Sequence, residues 1–164
     1  MRQRVLAEGG LPLVIDTGVL GEPTTQADID RQRVAAEGGS SIPELIEAGD
    51  KARALVVMAD GASRILLRYL ERGELGGVLS IGGSRGTALG TRAMQALPVG
   101  VPKLMVSTIA SGQNIFGPYV GTKDVTLMHS VADIQGINAV TRPIFSNAAA
   151  AMVGMSRRVC STNR

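Results

Sequence analysis

Residues 78–88 constrain the fold more than any other stretch of the chain. They read Val-Leu-Ser-Ile-Gly-Gly-Ser-Arg-Gly-Thr-Ala, and the first four are β-branched, apolar or small, which suits a short buried strand. A double glycine then ends the strand, and Ser84 and Thr87 are good residues for starting a helix. Residues 88–97 carry apolar side chains at helical spacing. The stretch therefore predicts a strand, a tight glycine turn and a helix in direct succession.

The same turn is a candidate anion site. Free N–H groups of a first helical turn point off the carboxyl end of the strand, and glycines let a phosphate come close. The spacing Gly-Gly-x-x-Gly-Thr is neither Gly-x-Gly-x-x-Gly nor a Walker A loop, whose lysine is missing here. A tight turn without any ligand explains the pattern about equally well. The hydroxyls of Ser84 and Thr87 and the guanidinium of Arg85 favour the anion.

Strands and helices alternate along the rest of the chain. Further strands are predicted at residues 11–15, 102–108 and 125–128. Helices are predicted at residues 1–7, from a capping box at Ser41, over residues 51–72, and from Thr141 onwards. This alternation predicts an α/β fold with a doubly wound, mostly parallel sheet, a Rossmann- or flavodoxin-like three-layer sandwich.

All four predicted strands end in polar or glycine residues. Sheets of this kind bind ligands beyond the carboxyl ends of their strands, so the agreement of four ends is better evidence than the glycine turn alone. The candidate ligand-binding residues at these ends are Asp16, Thr17, Gly82, Gly83, Ser84, Arg85, Gly86, Thr87, Ser107, Ser111 and Gly112.

Several of these residues also fit a purely structural role. Asp16 could hold a magnesium ion or a ribose hydroxyl, or it could cap the turn after its strand. Ser107, Thr108 and Ser111 could bind phosphate or satisfy backbone groups in a long loop. His129, the only histidine, is a weak candidate for a catalytic base, because a histidine at a strand end is more often structural. No Ser-His-Asp spacing, carboxylate pair or metal-ligand cluster indicates a reaction.

Composition excludes several classes of protein. A length of 164 residues predicts one domain, residues 1–155, followed by a basic, flexible tail at residues 156–164. A net charge of +3 and only two Tyr, two Phe and no Trp argue against a nucleic-acid partner. One cysteine excludes an internal disulfide, and no stretch reaches the length of a signal peptide's apolar region or of a membrane span. We therefore expect a cytoplasmic protein with no membrane partner.

Six motifs follow one another in a specific order along the chain. They are residues 13–18, 34–39, 81–88, 96–112, 118–121 and 128–134. Together they closely resemble the Tm-one-like ATP-binding domain family, with similarity from about residue 4 to residue 155. The resemblance implies a doubly wound nucleotide-binding domain that binds ATP, alone or with magnesium. By position it implies loop contacts from Gly82, Gly83, Ser84, Gly86 and Thr87.

The chain also departs from that family. Relatives usually begin with an extra strand and a polar turn, and they carry a second, barrel-like domain after the position of Met155. Arg85 replaces a residue that is usually glycine. The first strand of that family is missing from this chain, which leaves one position at the edge of the sheet open. Another chain would have to cover that position, so we expect a homo-oligomer. The expected function is an ATP- or nucleotide-binding domain that acts as a ligand-gated interaction module, and the alternative is the nucleotide-binding half of a two-domain enzyme acting on a small molecule.

Overall fold

The fold is given by a computed structural model that describes residues 1–23, 25–111, 116–134 and 136–162, with side chains up to residue 157. The elements in this part of the chain are α1 (Arg2–Ala7), α2 (Arg31–Glu37), α3 (Ile42–Ala48), α4 (Lys51–Glu71), β1 (Val78–Gly82), α5 (Ser84–Gln95), β2 (Lys103–Ser107), α6 (Gly117–Val120), β3 (Thr126–His129) and α7 (Thr141–Thr162). Within these ranges no helix combines the length and the apolar character that crossing a membrane requires.

The three strands form one open, parallel sheet in the order β1-β2-β3. Helix α5 crosses over from β1 to β2, as a parallel connection requires. The register places Gly82 beside Ser107 and Ser107 beside His129, so the carboxyl ends of all three strands lie in one row. This topology confirms the predicted α/β fold.

The two faces of the sheet are covered by different helices. Leu79 and Ile81 of β1 pack with Leu104 and Val106 of β2 in a cluster that includes Phe145 of α7. The opposite face lies against α5, and α5 in turn packs against α4. Because alternate residues of a strand point to opposite faces, each strand contributes to both layers. The result is the expected three-layer sandwich.

Residues 11–15 are not a strand of this sheet, and the prediction of a fourth strand there is wrong. The segment makes one isolated parallel bridge, between Ile15 and Ile29. The backbone N–H of Val14 donates to the Asp28 carboxylate at 2.7 Å, and its carbonyl accepts from the N–H groups of Asp28 and Ile29. The backbone groups of Val14 are therefore hydrogen-bonded to Asp28 and Ile29, just before α2, and not to a strand of the sheet.

The helix boundaries follow the capping residues that the sequence shows. Ser41 and Glu44 form both hydrogen bonds of a capping box at the start of α3. The Asp50 carboxylate accepts from the N–H groups of Ala52 and Arg53, and so caps α4. The predictions for α3 and α4 are confirmed, with α4 ending one residue before the predicted position.

Lys103 is a charged side chain buried at the start of β2. Its ammonium donates to the carbonyls of Pro98 and Val101 and to the Asp124 carboxylate, each at 2.7 Å. All three ammonium protons thus have a partner, which is the condition for burying a charge. The bond from Lys103 also holds the pKa of Asp124 below its ordinary value.

We expect Lys103→Met to lower the free energy of unfolding by about 1–3 kcal/mol, since the Val101 carbonyl then stays buried without a donor. Lys51→Met is the matched control, because Lys51 is exposed on α4. Chemical denaturation of both variants measures the difference. Equal stability of the two variants would show that the hydrogen bonds of the buried Lys103 ammonium do not stabilise the fold.

Candidate functional site

The carboxyl ends of the three strands are joined by hydrogen bonds as well as by register. The N–H of Thr108 donates to the Gly82 carbonyl at 3.2 Å, and the N–H of Ser130 donates to the Ser107 carbonyl at 3.0 Å. Residues that follow three different strands are thereby brought to one edge of the sheet. This is the edge at which parallel α/β sheets bind their ligands.

Helix α5 begins at this edge without a side-chain cap. Its N-cap is Gly83, and the first carbonyl of the helix accepts from the N–H of Thr87 at 2.7 Å. The N–H groups of Ser84, Arg85 and Gly86 precede the first helical hydrogen bond, so the helix supplies no acceptor for them. Three donors and the positive end of the helix dipole therefore lie at the end of β1.

The three glycines of the turn, Gly82, Gly83 and Gly86, differ in whether the protein itself requires glycine at that position. A Cβ at Gly82 would lie 2.7 Å from the Cα of Gly86, so Gly82 is needed where the helix packs on the strand end. A Cβ at Gly83 would come no closer than 3.6 Å to Thr108, and one at Gly86 no closer than 3.7 Å to the carbonyl of Ile81. Neither Gly83 nor Gly86 has a positive φ. The backbone angle is therefore not what requires glycine at these two positions.

Thr87 and Ser107 meet beneath the turn. Both are buried, with exposures of 1% and 0%, and their hydroxyl oxygens are 2.6 Å apart. The Ser107 hydroxyl also accepts from the N–H of Ile109 at 3.2 Å. The pair joins α5 to β2, so these two candidate residues support the turn from below.

The exposed candidates lie above that pair. Ser84 and Arg85 are both exposed on the first turn of α5, and within the described ranges the Arg85 guanidinium has no hydrogen-bond or ion-pair partner. Ser111 is exposed in the connection that follows β2. Gly112 lies outside the described residues.

Asp16 and Thr17 lie in a separate turn. One carboxylate oxygen of Asp16 accepts from the N–H of Gly18 at 2.8 Å, and the other pairs with Arg31 at 2.7 Å. Asp16 therefore makes the turn-capping bond that was one of its two predicted roles. Thr17 is half-buried beside it.

His129 ends β3 next to Ser107. Met128 packs with the α7 cluster, so alternation places His129 on the other face, the one that carries Thr87 and Ser107. Two residues after His129, Val131 has a positive φ of +62°. Sequence reasoning did not predict this backbone conformation. A β-branched residue is rare in that region, and such outliers cluster at functional sites.

Among the residues described, no group of three His, Cys, Asp or Glu side chains is arranged to hold a metal ion. The site thus consists of backbone donors, glycines and hydroxyls, with one arginine and one histidine at its margins. Thr108, which the sequence indicated as a possible phosphate contact, and Ser130, which follows the last strand, also belong to it.

Comparison with known proteins gives one consistent family. The family described as "Uncharacterised protein family (UPF0261) N-terminal domain" matches residues 1–160. A UPF0261 protein of Clostridium tetani is 48% identical over 148 residues, and one of Rhizobium meliloti is 39% identical over 154 residues. These matches cover 90% and 94% of this chain but only 36% and 37% of the two relatives.

A plant protein is similar over a shorter stretch. The ToMV resistance protein Tm-1(GCR237) of Solanum lycopersicum is 43% identical over 102 residues, which is 62% of this chain and 13% of that protein. The chain thus spans little more than a third of the bacterial relatives, and a smaller part of the plant one.

We expect Ser107→Ala to lower the free energy of unfolding by about 1 kcal/mol or more, because the buried Thr87 hydroxyl loses its nearest partner. The double variant Thr87→Val/Ser107→Ala should lose less than the sum of the two single variants, since both changes remove the same bond. Urea denaturation of the four proteins gives the coupling energy. Strict additivity would show that the hydroxyl pair does not hold α5 to β2.

Proposed function

The chain belongs to the UPF0261 N-terminal domain family, and from the geometry of its strand ends we propose that it binds a nucleotide, ATP, at the turn between β1 and α5. The observation that carries this proposal is the pair Gly83 and Gly86. Neither the backbone angles nor the neighbouring atoms require glycine at these positions. A ligand lying close to the backbone does require it.

The chemistry of the turn suits a phosphate group. The donors that precede the first helical hydrogen bond belong to the same turn as Gly83 and Gly86. The buried pair of Thr87 and Ser107 keeps the helix start fixed against β2. Ser84, exposed beside these donors, would add a hydroxyl contact. The resemblance to the Tm-one-like ATP-binding domain family supports ATP as the nucleotide, alone or with magnesium.

We propose that the bound nucleotide controls an interaction, so that the domain acts as a ligand-gated module in the cytoplasm. The alternative is the nucleotide-binding half of an enzyme acting on a small molecule. One observation favours that alternative: the bacterial relatives are nearly three times as long as the matched segment, which leaves room for further catalytic residues. Release of phosphate from ATP by this chain alone would favour an enzyme, whereas binding without turnover is expected of both the module and the half-enzyme.

Calorimetry with ATP, ADP and inorganic phosphate tests the site through Gly86→Val. The added side chain occupies the proposed phosphate position, so we expect most ATP affinity to be lost while cooperative unfolding is retained. Gly154→Val is the matched control, because Gly154 is an exposed residue of α7 where a Cβ meets no atom within 4 Å. Unchanged ATP affinity in Gly86→Val would overturn the assignment.

Arg85→Ala refines the same titration. The Arg85 side chain is exposed on the helix, so we expect its loss to change ATP affinity by less than about threefold. A loss of tenfold or more would instead match a charge-assisted hydrogen bond to phosphate. The result for Arg85→Ala does not affect the interpretation of the Gly86→Val titration.

We also propose that the chain self-associates through the outer edge of β1. The bonds of Val78 to Pro102 and of Gly82 to Thr108 show which residues of β1 face β2. By alternation, the N–H and C=O groups of Leu79 and Ile81 point to the other edge. In the described part of the chain no strand pairs there, and all five residues of β1 are only half-buried.

Light scattering at micromolar concentration should therefore give a mass of at least twice 17.0 kDa. Leu79→Pro removes an outward-facing N–H without touching the bonds to β2, so it should shift the protein to monomers that keep their helical circular dichroism. A mass of 17.0 kDa for the unaltered chain at every concentration would exclude this association.

A further inference from the structure

The turn that follows β3 is held in a strained conformation. Among the residues that the structure describes, Val131 is the one residue other than glycine with a positive φ. The N–H of Ala132 donates to the Ser130 carbonyl, two residues back, at 2.7 Å. A positive φ together with this bond makes a γ-turn of the rare, strained type. A β-branched side chain at its centre adds to the strain.

Ser130 holds this turn in place. It is fully buried, and its N–H donates to the Ser107 carbonyl at 3.0 Å. Its hydroxyl donates to the carbonyl of Ala132 at 2.7 Å, so two hydrogen bonds join the residues on either side of Val131. Strained residues persist where the surrounding bonds fix them in this way. The turn is therefore fastened to the carboxyl end of β2.

The Val131 side chain adds little to the packing of the protein, because it is 65% exposed. Glycine adopts a positive φ without strain, and asparagine tolerates it. Either residue would thus make the isolated turn more stable than valine does. The fold itself does not explain valine at this position, whereas a ligand that packs on the exposed side chain does.

The connection from β3 to α7, residues 130–140, has the character of an apolar contact surface. Ile137 and Val140 are exposed there as well as Val131. Asp133 is the single charged residue of the connection, and its charge is negative. Exposed apolar side chains beside a binding edge suit a ring system, whereas a phosphate group finds no cation in this connection.

The spacing of the strand ends matches the two ends of a nucleotide. Ser107 lies beside Gly82 on one side and beside His129 on the other, so β1 and β3 end two strand spacings apart, or about 10 Å. In a nucleoside triphosphate, the ribose and the α-phosphate separate the base from the β-phosphate. A ligand whose β-phosphate lies at the start of α5 can therefore place its base at the end of β3.

We propose that Val131 is a specificity contact of the nucleotide site, with the base packed on its exposed side chain. This inference rests on the proposed function and assigns the second end of the same ligand. The bonds of Ser130 fix the turn, and a β-branched side chain has few rotamers. Val131 is therefore already ordered in the free protein, and little conformational entropy is lost when the base binds.

Calorimetry with ATP and with inorganic tripolyphosphate, both in the presence of magnesium, tests the inference. Tripolyphosphate has the phosphates of ATP but no base. We expect Val131→Gly to weaken ATP binding about fivefold or more, the scale of losing part of a buried valine side chain, and to leave tripolyphosphate binding unchanged. Val131→Asn should give the same pattern, which shows that the lost side chain and not a loosened backbone is responsible.

Val99→Gly is the matched control, because Val99 is a similarly exposed valine in the connection between α5 and β2, at the other end of the sheet. It should leave both affinities unchanged. Urea denaturation provides an independent measurement: Val131→Gly should raise the midpoint by relieving the strain, whereas Val99→Gly should not.

The outcomes separate this inference from the proposed function. Unchanged ATP affinity in Val131→Gly, with ATP binding still lost in Gly86→Val, would overturn the role of Val131 and leave the nucleotide site standing. Equal losses of ATP and tripolyphosphate affinity in Val131→Gly would also overturn it, because the contact would then not be with the base. A lower urea midpoint for Val131→Gly would remove the strain on which the argument depends. Absence of ATP binding by the unaltered chain would overturn both proposals.

Discussion

The close approach of α5 to β1 is the contact on which the rest of the structure depends. A Cβ at Gly82 would collide with Gly86, and one at Gly90 would lie 2.5 Å from the hydroxyl of Ser80. Glycine at both points lets the helix lie directly on the strand. Only at that distance can Thr87 reach Ser107 on the neighbouring strand. The start of the helix is then fixed at the carboxyl edge, where its unpaired donors face outwards.

The local elements around this contact follow from sequence patterns, whereas strand pairing does not. Residues 78–97 carry their own signals, because a β-branched run, a double glycine and a helical period follow one another. Residues 11–15 have the same apolar character, yet they form only one bridge, to Ile29. Whether such a segment joins the sheet depends on the partner of its backbone groups. Here the N–H and the carbonyl of Val14 are hydrogen-bonded to the side chain and the N–H of Asp28. β-propensity describes a surface that fits a sheet, and it does not say which sheet.

The site shows the same division between residue type and residue role. Sequence reasoning selected Thr87 and Ser107 for their hydroxyls, and it selected three glycines for their small size. Burial separates the hydroxyls that support the turn from those that are exposed, and burial is a property of the packed molecule. Likewise, only the position of Gly82 against the helix distinguishes it from Gly83, where a side chain would meet no close neighbour.

The electrostatics of the turn set a condition on the nucleotide proposal. A helix N-terminus carries about half a positive charge, and this loop lacks the lysine that a Walker A loop places against the phosphates. The triphosphate of ATP carries several negative charges, and Arg85 is the single cation on the turn itself. The remaining charge must therefore be offset by magnesium, or by a group from whatever covers the open edge of β1. In the second case nucleotide binding and association through that edge would be thermodynamically linked, and each would strengthen the other. That reciprocity is the physical content of a ligand-gated module, and a chain that bound ATP with full affinity as a monomer would not need it.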